Sequence, residues 1–125
     1  MTAAGPFVVM LIEDDPTMRS LLKTLLEIEN FEVILTEDVN EQSVLETIQT
    51  RRPGAVLMDV YLRFYNGLDL LQSLRSQPET QNLPIMMTSG MDVRDKCLSL
   101  GASGFLMTPY MPDDLIDWLK QQQQV

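Results

Sequence analysis

The chain has 125 residues, 18 acidic and 9 basic, so its formal net charge is −9 at pH 7. This length suits one domain with one hydrophobic core, and the acidic balance argues against nucleic acid as a direct partner. The sequence has no histidine and a single cysteine, Cys97, which excludes histidine-based catalysis, thiolate zinc clusters and intrachain disulfides, and leaves only oxygen ligands for a metal.

The apolar pattern predicts strands and helices in alternation. Continuous apolar runs typical of strands buried on both faces occur, in chain order, at 7–12, 31–35, 55–58, 84–88 and 104–107. Apolar residues at helical spacing follow each run, at 18–26, 44–48, 67–77, 93–100 and 115–119. We expect Asp15 as N-cap and Pro16 in the first turn of helix one, a capping box of Asp38 and Glu41 before helix two, and Gly101 closing helix four.

This alternation predicts an α/β fold with a doubly wound, five-stranded parallel sheet in the order 2-1-3-4-5, the flavodoxin-like (βα)5 arrangement. We expect one domain over 1–125, with a flexible N-terminus at 1–6 and the end of the last helix or the start of a linker at 121–125. The first basic residue is Arg19 and the longest apolar run is Phe7–Ile12. Since a secretory signal needs an earlier positive charge and a membrane span needs ~20 apolar residues, we expect a cytoplasmic protein without membrane contact.

Acidic residues follow the two strands that are neighbours in this order. Glu13 and Asp14 come after the first strand and Asp59 after the third, so all three are expected at the edge where such sheets bind ligands. Carboxylates about 5 Å apart repel by about 3 kcal/mol per pair at an effective dielectric near 20. Such a cluster persists by holding protons or a divalent cation, and oxygen ligands favour Mg²⁺.

Simpler interpretations exist for single residues in this cluster. Helix capping explains Asp15, and a turn-forming role explains Asp59, but neither explains Glu13 or Asp14. A flavin mononucleotide site is disfavoured because an acidic loop repels its phosphate, and the G-x-G-x-x-G pattern of a Rossmann nucleotide site is absent after the first strand.

Four segments, in order and at strand ends, together resemble the response-regulator receiver domain of two-component signalling. They are Leu11–Pro16, Met58–Gly67, Leu83–Gly90 and Gly101–Tyr110. The resemblance implies that Asp59 takes a phosphoryl group, with Mg²⁺, from a phosphohistidine on a histidine kinase or phosphotransfer protein. It also implies that the metal ligands are Glu13, Asp14, Asp59 and the backbone carbonyl of Tyr61. Thr88 would be the switch hydroxyl, and Ser89 a small residue beside the phosphoryl group. Phe105 would rotate inward when Thr88 moves and so change the surface of helix four, strand five and helix five.

Two positions depart from the family pattern. Thr108 stands where the family has a lysine, and a hydroxyl cannot neutralise phosphate charge. Arg63 stands where the family usually has proline, and we hypothesise that it reaches over the site as a substitute cation. The resemblance further implies a cis peptide bond at Thr108-Pro109.

Three functional hypotheses follow. The first is a phosphoacceptor signalling domain that is not an enzyme beyond self-phosphorylation and slow autodephosphorylation, acting as a monomer or weak homodimer on an unknown downstream protein or attached output domain. The second is a pseudo-receiver that binds partners independently of phosphate. The third, a Mg²⁺-dependent hydrolase, ranks last because the only lysines, Lys23, Lys96 and Lys120, all lie in predicted helices.

Overall fold

The computed structural model describes residues 6–36, 38 and 40–124. Strands and helices alternate along these residues in the predicted order. The strands are β1 Val8–Ile12, β2 Glu32–Leu35, β3 Ala55–Asp59, β4 Ile85–Ser89 and β5 Gly104–Met107. The helices are α1 Pro16–Ile28, α2 Glu41–Arg51, α3 Gly67–Arg75, α4 Arg94–Ser99 and α5 Pro112–Gln123.

The five strands form one sheet in the order β2-β1-β3-β4-β5, and all four pairings are parallel. The predicted α/β doubly wound fold is therefore confirmed. Register pairs Ile12 with Met58 and Asp59 with Thr88. The residues that follow β1, β3 and β4 consequently lie at one edge of the sheet.

The hydrophobic core consists of two clusters, one on each face of the sheet. Successive strand residues point to opposite faces, so Met10 and Ile12 belong to one cluster while Val9 and Leu11 belong to the other. Burial on both faces explains why the strands read as continuous apolar runs.

Helix ends account for the differences from the sequence-based prediction. The predicted capping box of Asp38 and Glu41 is wrong, because Asn40 is the N-cap of α2 and its side chain accepts from the Ser43 amide at 2.8 Å. Helix α3 ends at Arg75 and not at 77, because Ser76 forms the C-cap and its hydroxyl donates a hydrogen bond to the backbone carbonyl of Ser73.

Other helix ends agree with the prediction. Asp15 is the N-cap of α1 and Pro16 begins the helix. Gly101 follows α4 with φ of 103°, a conformation that favours glycine. At the C-terminus, α5 extends to Gln123; residues 1–5 of the expected flexible N-terminus and Val125 lie outside the described residues. None of the described helices has the length and apolar character to cross a membrane.

Candidate functional site

Three carboxylates lie close enough at the carboxyl edge of the sheet for their charges to interact. Glu13 follows β1, and Asp59 is the last residue of β3, the strand beside it. Burial raises the pKa of Glu13, and repulsion from Asp59 and Asp14 raises this pKa further. Burial likewise raises the pKa of Asp59, with repulsion from Asp14 adding to it. The fold thus gathers the acidic residues that the strand order predicted.

Each carboxylate is also held by the backbone of a loop. The Glu13 carboxylate accepts a hydrogen bond from the Asp15 amide (3.1 Å). The Asp14 carboxylate accepts one from the Arg63 amide, and the Asp59 carboxylate accepts one from the Tyr61 amide (3.3 Å). The described part of the chain contains no group of three or more acidic or thiol side chains arranged to hold a metal ion.

Charge neutralisation is the other test of whether a cation suits this site. The ion pairs found among residues 6–36, 38 and 40–124 are Lys23–Glu27, Arg51–Glu32 and Lys120–Glu29, and none includes a carboxylate of the cluster. Carboxylate and carbonyl oxygens are the donors that Mg²⁺ takes in proteins. The donor chemistry of Glu13, Asp14 and Asp59 therefore fits Mg²⁺, although their present rotamers do not form a ligand shell.

A cleft of about 200 Å³ opens beside Asp59. Its polar wall includes Thr88 and Thr108, while Met18 and Leu22 of α1 contribute an apolar wall. Thr88 is paired in register with Asp59 and is 6% exposed, so its short side chain is held beside the carboxylate. The predicted switch hydroxyl thus lies at the cleft.

Ser89 ends β4 and is almost fully buried, at 1% exposure. Its hydroxyl accepts from the Met91 amide at 3.0 Å, and its carbonyl accepts from the Thr108 amide at 2.8 Å. These bonds fix the loop after β4 against the loop after β5, which positions the walls of the cleft.

The loop after β5 contains the departure from the family pattern. The Thr108-Pro109 bond is cis, as the resemblance implied. Thr108 faces the backbone at Gly90, where a Cβ would lie 3.5 Å from the Thr108 Oγ1 atom. The residues found to line this cleft include no lysine or arginine. A hydroxyl therefore stands where the family has a positive charge.

Phe105 is buried in the core cluster shared with α3 and α4, at 3% exposure. The Arg94 guanidinium lies 5.7 Å from the centre of its ring and donates to its backbone carbonyl at 3.3 Å. The ring thus lies in the core, with a cation–π contact to Arg94. The rotation implied by the resemblance stays a prediction.

Arg63 lines a second cleft, of about 400 Å³, together with Asp14, Arg19 and Tyr65. Its backbone amide donates to the Asp14 carboxylate. Its role as a substitute cation stays a prediction.

Sequence reasoning assigned no role at the site to Tyr110. This residue lines the Asp59 cleft, and its pKa is raised to about 12 by burial and by the negative charges of Glu13 and Asp59. In the sequence, the one indication of a role at the site is that Tyr110 lies two residues after Thr108, in the loop after the fifth predicted strand.

Comparison with known proteins finds a family match over most of the chain. The family model of the response regulator receiver domain matches residues 9–120. A nitrate/nitrite response regulator protein homolog of Haemophilus influenzae is 31% identical over 120 residues, 93% of this chain and 56% of that protein. The chain spans about half the length of the curated relatives it matches.

Solved structures show the same architecture. A Chloroflexus aurantiacus protein assigned as a response regulator has a TM-score of 0.85 at 27% identity, with 96% of this chain and 99% of that chain covered. The receiver domain of the sensor histidine kinase PA1611 of Pseudomonas aeruginosa, which has magnesium coordinated in its active site cleft, has a TM-score of 0.82 at 20% identity, with 96% and 99% covered. This second likeness concerns the fold alone.

Proposed function

The chain belongs to the response regulator receiver domain family, and on that premise we propose that Asp59 is its phosphoacceptor. The observation that carries the proposal is the position of Asp59: it ends β3, beside Glu13 and Asp14 and at a cleft lined by Thr88. The donor is a phosphohistidine on a histidine kinase or phosphotransfer protein, as membership of the receiver domain family implies.

In the transfer, a carboxylate oxygen of Asp59 attacks phosphorus, the bond from phosphorus to the donor imidazole nitrogen breaks, and Asp59 becomes an acyl phosphate. The Thr88 hydroxyl donates a hydrogen bond to a phosphoryl oxygen. Glu13, Asp14, Asp59 and the Tyr61 carbonyl would hold Mg²⁺, which when bound neutralises the negative charge of the two reacting groups.

Phosphorylation then changes the surface formed by α4, β5 and α5, which contacts an attached output domain or a separate protein. The domain acts here as a phosphoryl acceptor and not as an enzyme with turnover. Ser89 contributes a small side chain at the end of β4, so that the phosphoryl group has room between the loops after β3 and β4.

A second candidate function is a pseudo-receiver that docks partners whatever the state of Asp59. Two observations favour it: Thr108 replaces the lysine that couples phosphate to the switch, and Phe105 is already buried beneath Arg94. A domain fixed in this conformation would present the same α4, β5 and α5 surface to its partners whether or not Asp59 is phosphorylated.

Incubation with Mg²⁺ and acetyl phosphate separates the two candidates. We expect intact mass spectrometry to find one added phosphoryl group in the wild type and in Asp69→Asn, an exposed carboxylate of α3, but none in Asp59→Asn. If neither acetyl phosphate nor a phosphorylated cognate kinase modifies the wild type, the pseudo-receiver function replaces the first proposal.

A further inference from the structure

Tyr110 brings a hydroxyl to the cleft from which the family's lysine is missing. The residue lies in the loop between β5 and α5, and its ring packs against the core cluster on the α1 and α5 face of the sheet. It lines the cleft together with Asp59, Thr88 and Thr108. The ring is thus anchored in the core while the side chain borders the reacting carboxylate.

The charged residues that line the cleft with this phenol are all acidic. They are Glu13, Asp15 and Asp59, and the residues found lining the cleft include no lysine or arginine. A tyrosine hydroxyl is protonated at physiological pH and can donate its proton in a hydrogen bond to an acidic oxygen.

Thr108 cannot take the full role of the missing lysine. Its hydroxyl sits on the Gly90 side of the cleft and its side chain is short. A tyrosine is long enough to place a donor several ångströms from its backbone, and it brings that donor without the rotamer entropy of a lysine. The two residues are two positions apart in the same loop, so either can supply a group to the same edge of the sheet.

We propose that Tyr110 replaces the lysine as the hydrogen-bond donor at Asp59, to the oxygens of its acyl phosphate. This inference rests on the proposed phosphoacceptor function. The hydrogen bond to a charged oxygen stabilises charge on the phosphoryl group during transfer, but it adds no positive charge.

The test compares Tyr110→Phe with wild type and with Tyr65→Phe, a matched control at an exposed tyrosine of the β3–α3 loop. Both changes delete one hydroxyl and keep the ring, so the fold is preserved. With acetyl phosphate and Mg²⁺, we expect Tyr110→Phe to accumulate the phosphoryl adduct about 10-fold more slowly, the effect of losing one hydrogen bond to a charged group. Tyr65→Phe should match the wild type.

Rescue separates a donor role from a purely structural one. We expect Thr108→Lys to raise the rate by a larger factor in the Tyr110→Phe background than in the wild-type background, because there the lysine returns a donor that the phosphoryl oxygens have lost. A purely structural defect at Tyr110 would leave the two factors equal. Independently, the ¹³Cζ resonance of labelled Tyr110 should shift in Asp59→Asn, while that of Tyr65 should not.

The outcomes distinguish this inference from the one beneath it. Wild-type adduct formation in Tyr110→Phe, or an equal effect of Thr108→Lys in the two backgrounds, overturns the role of Tyr110 and leaves Asp59 as phosphoacceptor. Absence of any adduct in the wild type overturns both.

Discussion

The surroundings of Asp59 disfavour its ionised form. Burial and the neighbouring Asp14 raise its pKa above the ordinary value, so the folded state binds this proton more tightly than the unfolded chain does. Since the folded state holds more protons in the window between the two pKa values, stability falls as the pH rises through that window. The site is therefore maintained at a cost to stability, as expected of a functional carboxylate.

Removing this charge should stabilise the metal-free protein. We expect Asp59→Asn to raise Tm by a few degrees at pH 7, measured by calorimetry in the presence of a chelator. The gain should shrink at acidic pH, where the wild-type carboxyl is also neutral. Asp69→Asn is the control: it removes an acid from the first turn of α3, where negative charge is favourable, so its Tm should fall slightly. A lower Tm for Asp59→Asn at pH 7 would show that the carboxylate is not opposed by its surroundings.

At the scale of single residues, the ends of the predicted strands were what located the site in the sequence. Glu13 and Asp59 were predicted from the strands they follow, because parallel strands carry their carboxyl ends to one edge. The directions of the side chains were not predictable, since Glu13 and Asp14 turn toward amides of the Asp15 and Arg63 backbone. Tyr110 was missed because a tyrosine after a proline matches no chemical pattern until the fold places it against the acids.

The contact between β3 and α3 shows how one element positions another. A Cβ at Gly67 would lie 2.3 Å from the Asp59 carbonyl oxygen and 3.0 Å from the Val60 Cα. Both are backbone atoms, which cannot yield as a side chain can. The first residue of α3 is therefore packed directly on the strand end that carries the proposed phosphoacceptor.

Gly67→Ala should consequently disturb both stability and the site. We expect a loss of about 1–3 kcal/mol in denaturant unfolding, the usual cost of inserting a methyl group into a packed position, and slower adduct formation at Asp59 because the end of β3 moves. Gly90→Ala is a matched control, since its Cβ would meet only Thr108 Oγ1 at an ordinary 3.5 Å. Equal stability of the two variants would mean that α3 does not constrain β3.

Elements were more predictable than their ends. Continuous apolar runs and helical spacing located all ten elements, because burial on two faces or one face leaves a clear pattern. The start of α2 was misplaced because Asp38 and Asn40 are both good caps, and in the structure it is the Asn40 side chain that accepts from the Ser43 amide. The end of α3 likewise depends on a local bond from Ser76 that periodicity does not report.

At the scale of the molecule, the net charge of −9 divides into a dispersed surface and a concentrated site. The ion pairs found in the described ranges lie outside the acidic cluster, so the repulsion within it is relieved by no side-chain cation there. A divalent cation that binds only the folded chain would relieve it and stabilise the whole domain through linkage.

Mg²⁺ should therefore raise the Tm of the wild type in a concentration-dependent way. At 100 times the dissociation constant the gain is about 2.7 kcal/mol, which is several degrees for a domain of this size. Asp14→Asn should abolish the effect, while Asp69→Asn should retain it. An undiminished response in Asp14→Asn would place the cation elsewhere.

Chemical trapping at Asp59 tests the central claim most directly. Sodium borohydride reduces an acyl phosphate to an alcohol, so an aspartyl phosphate becomes homoserine while a free carboxylate is unchanged. After incubation with Mg²⁺ and acetyl phosphate, followed by borohydride, we predict that peptide mapping by mass spectrometry finds homoserine at position 59 and aspartate at positions 14 and 69. Homoserine at another acidic residue, or at none with any phosphodonor including a cognate kinase, would contradict the assignment of Asp59 as the phosphoacceptor.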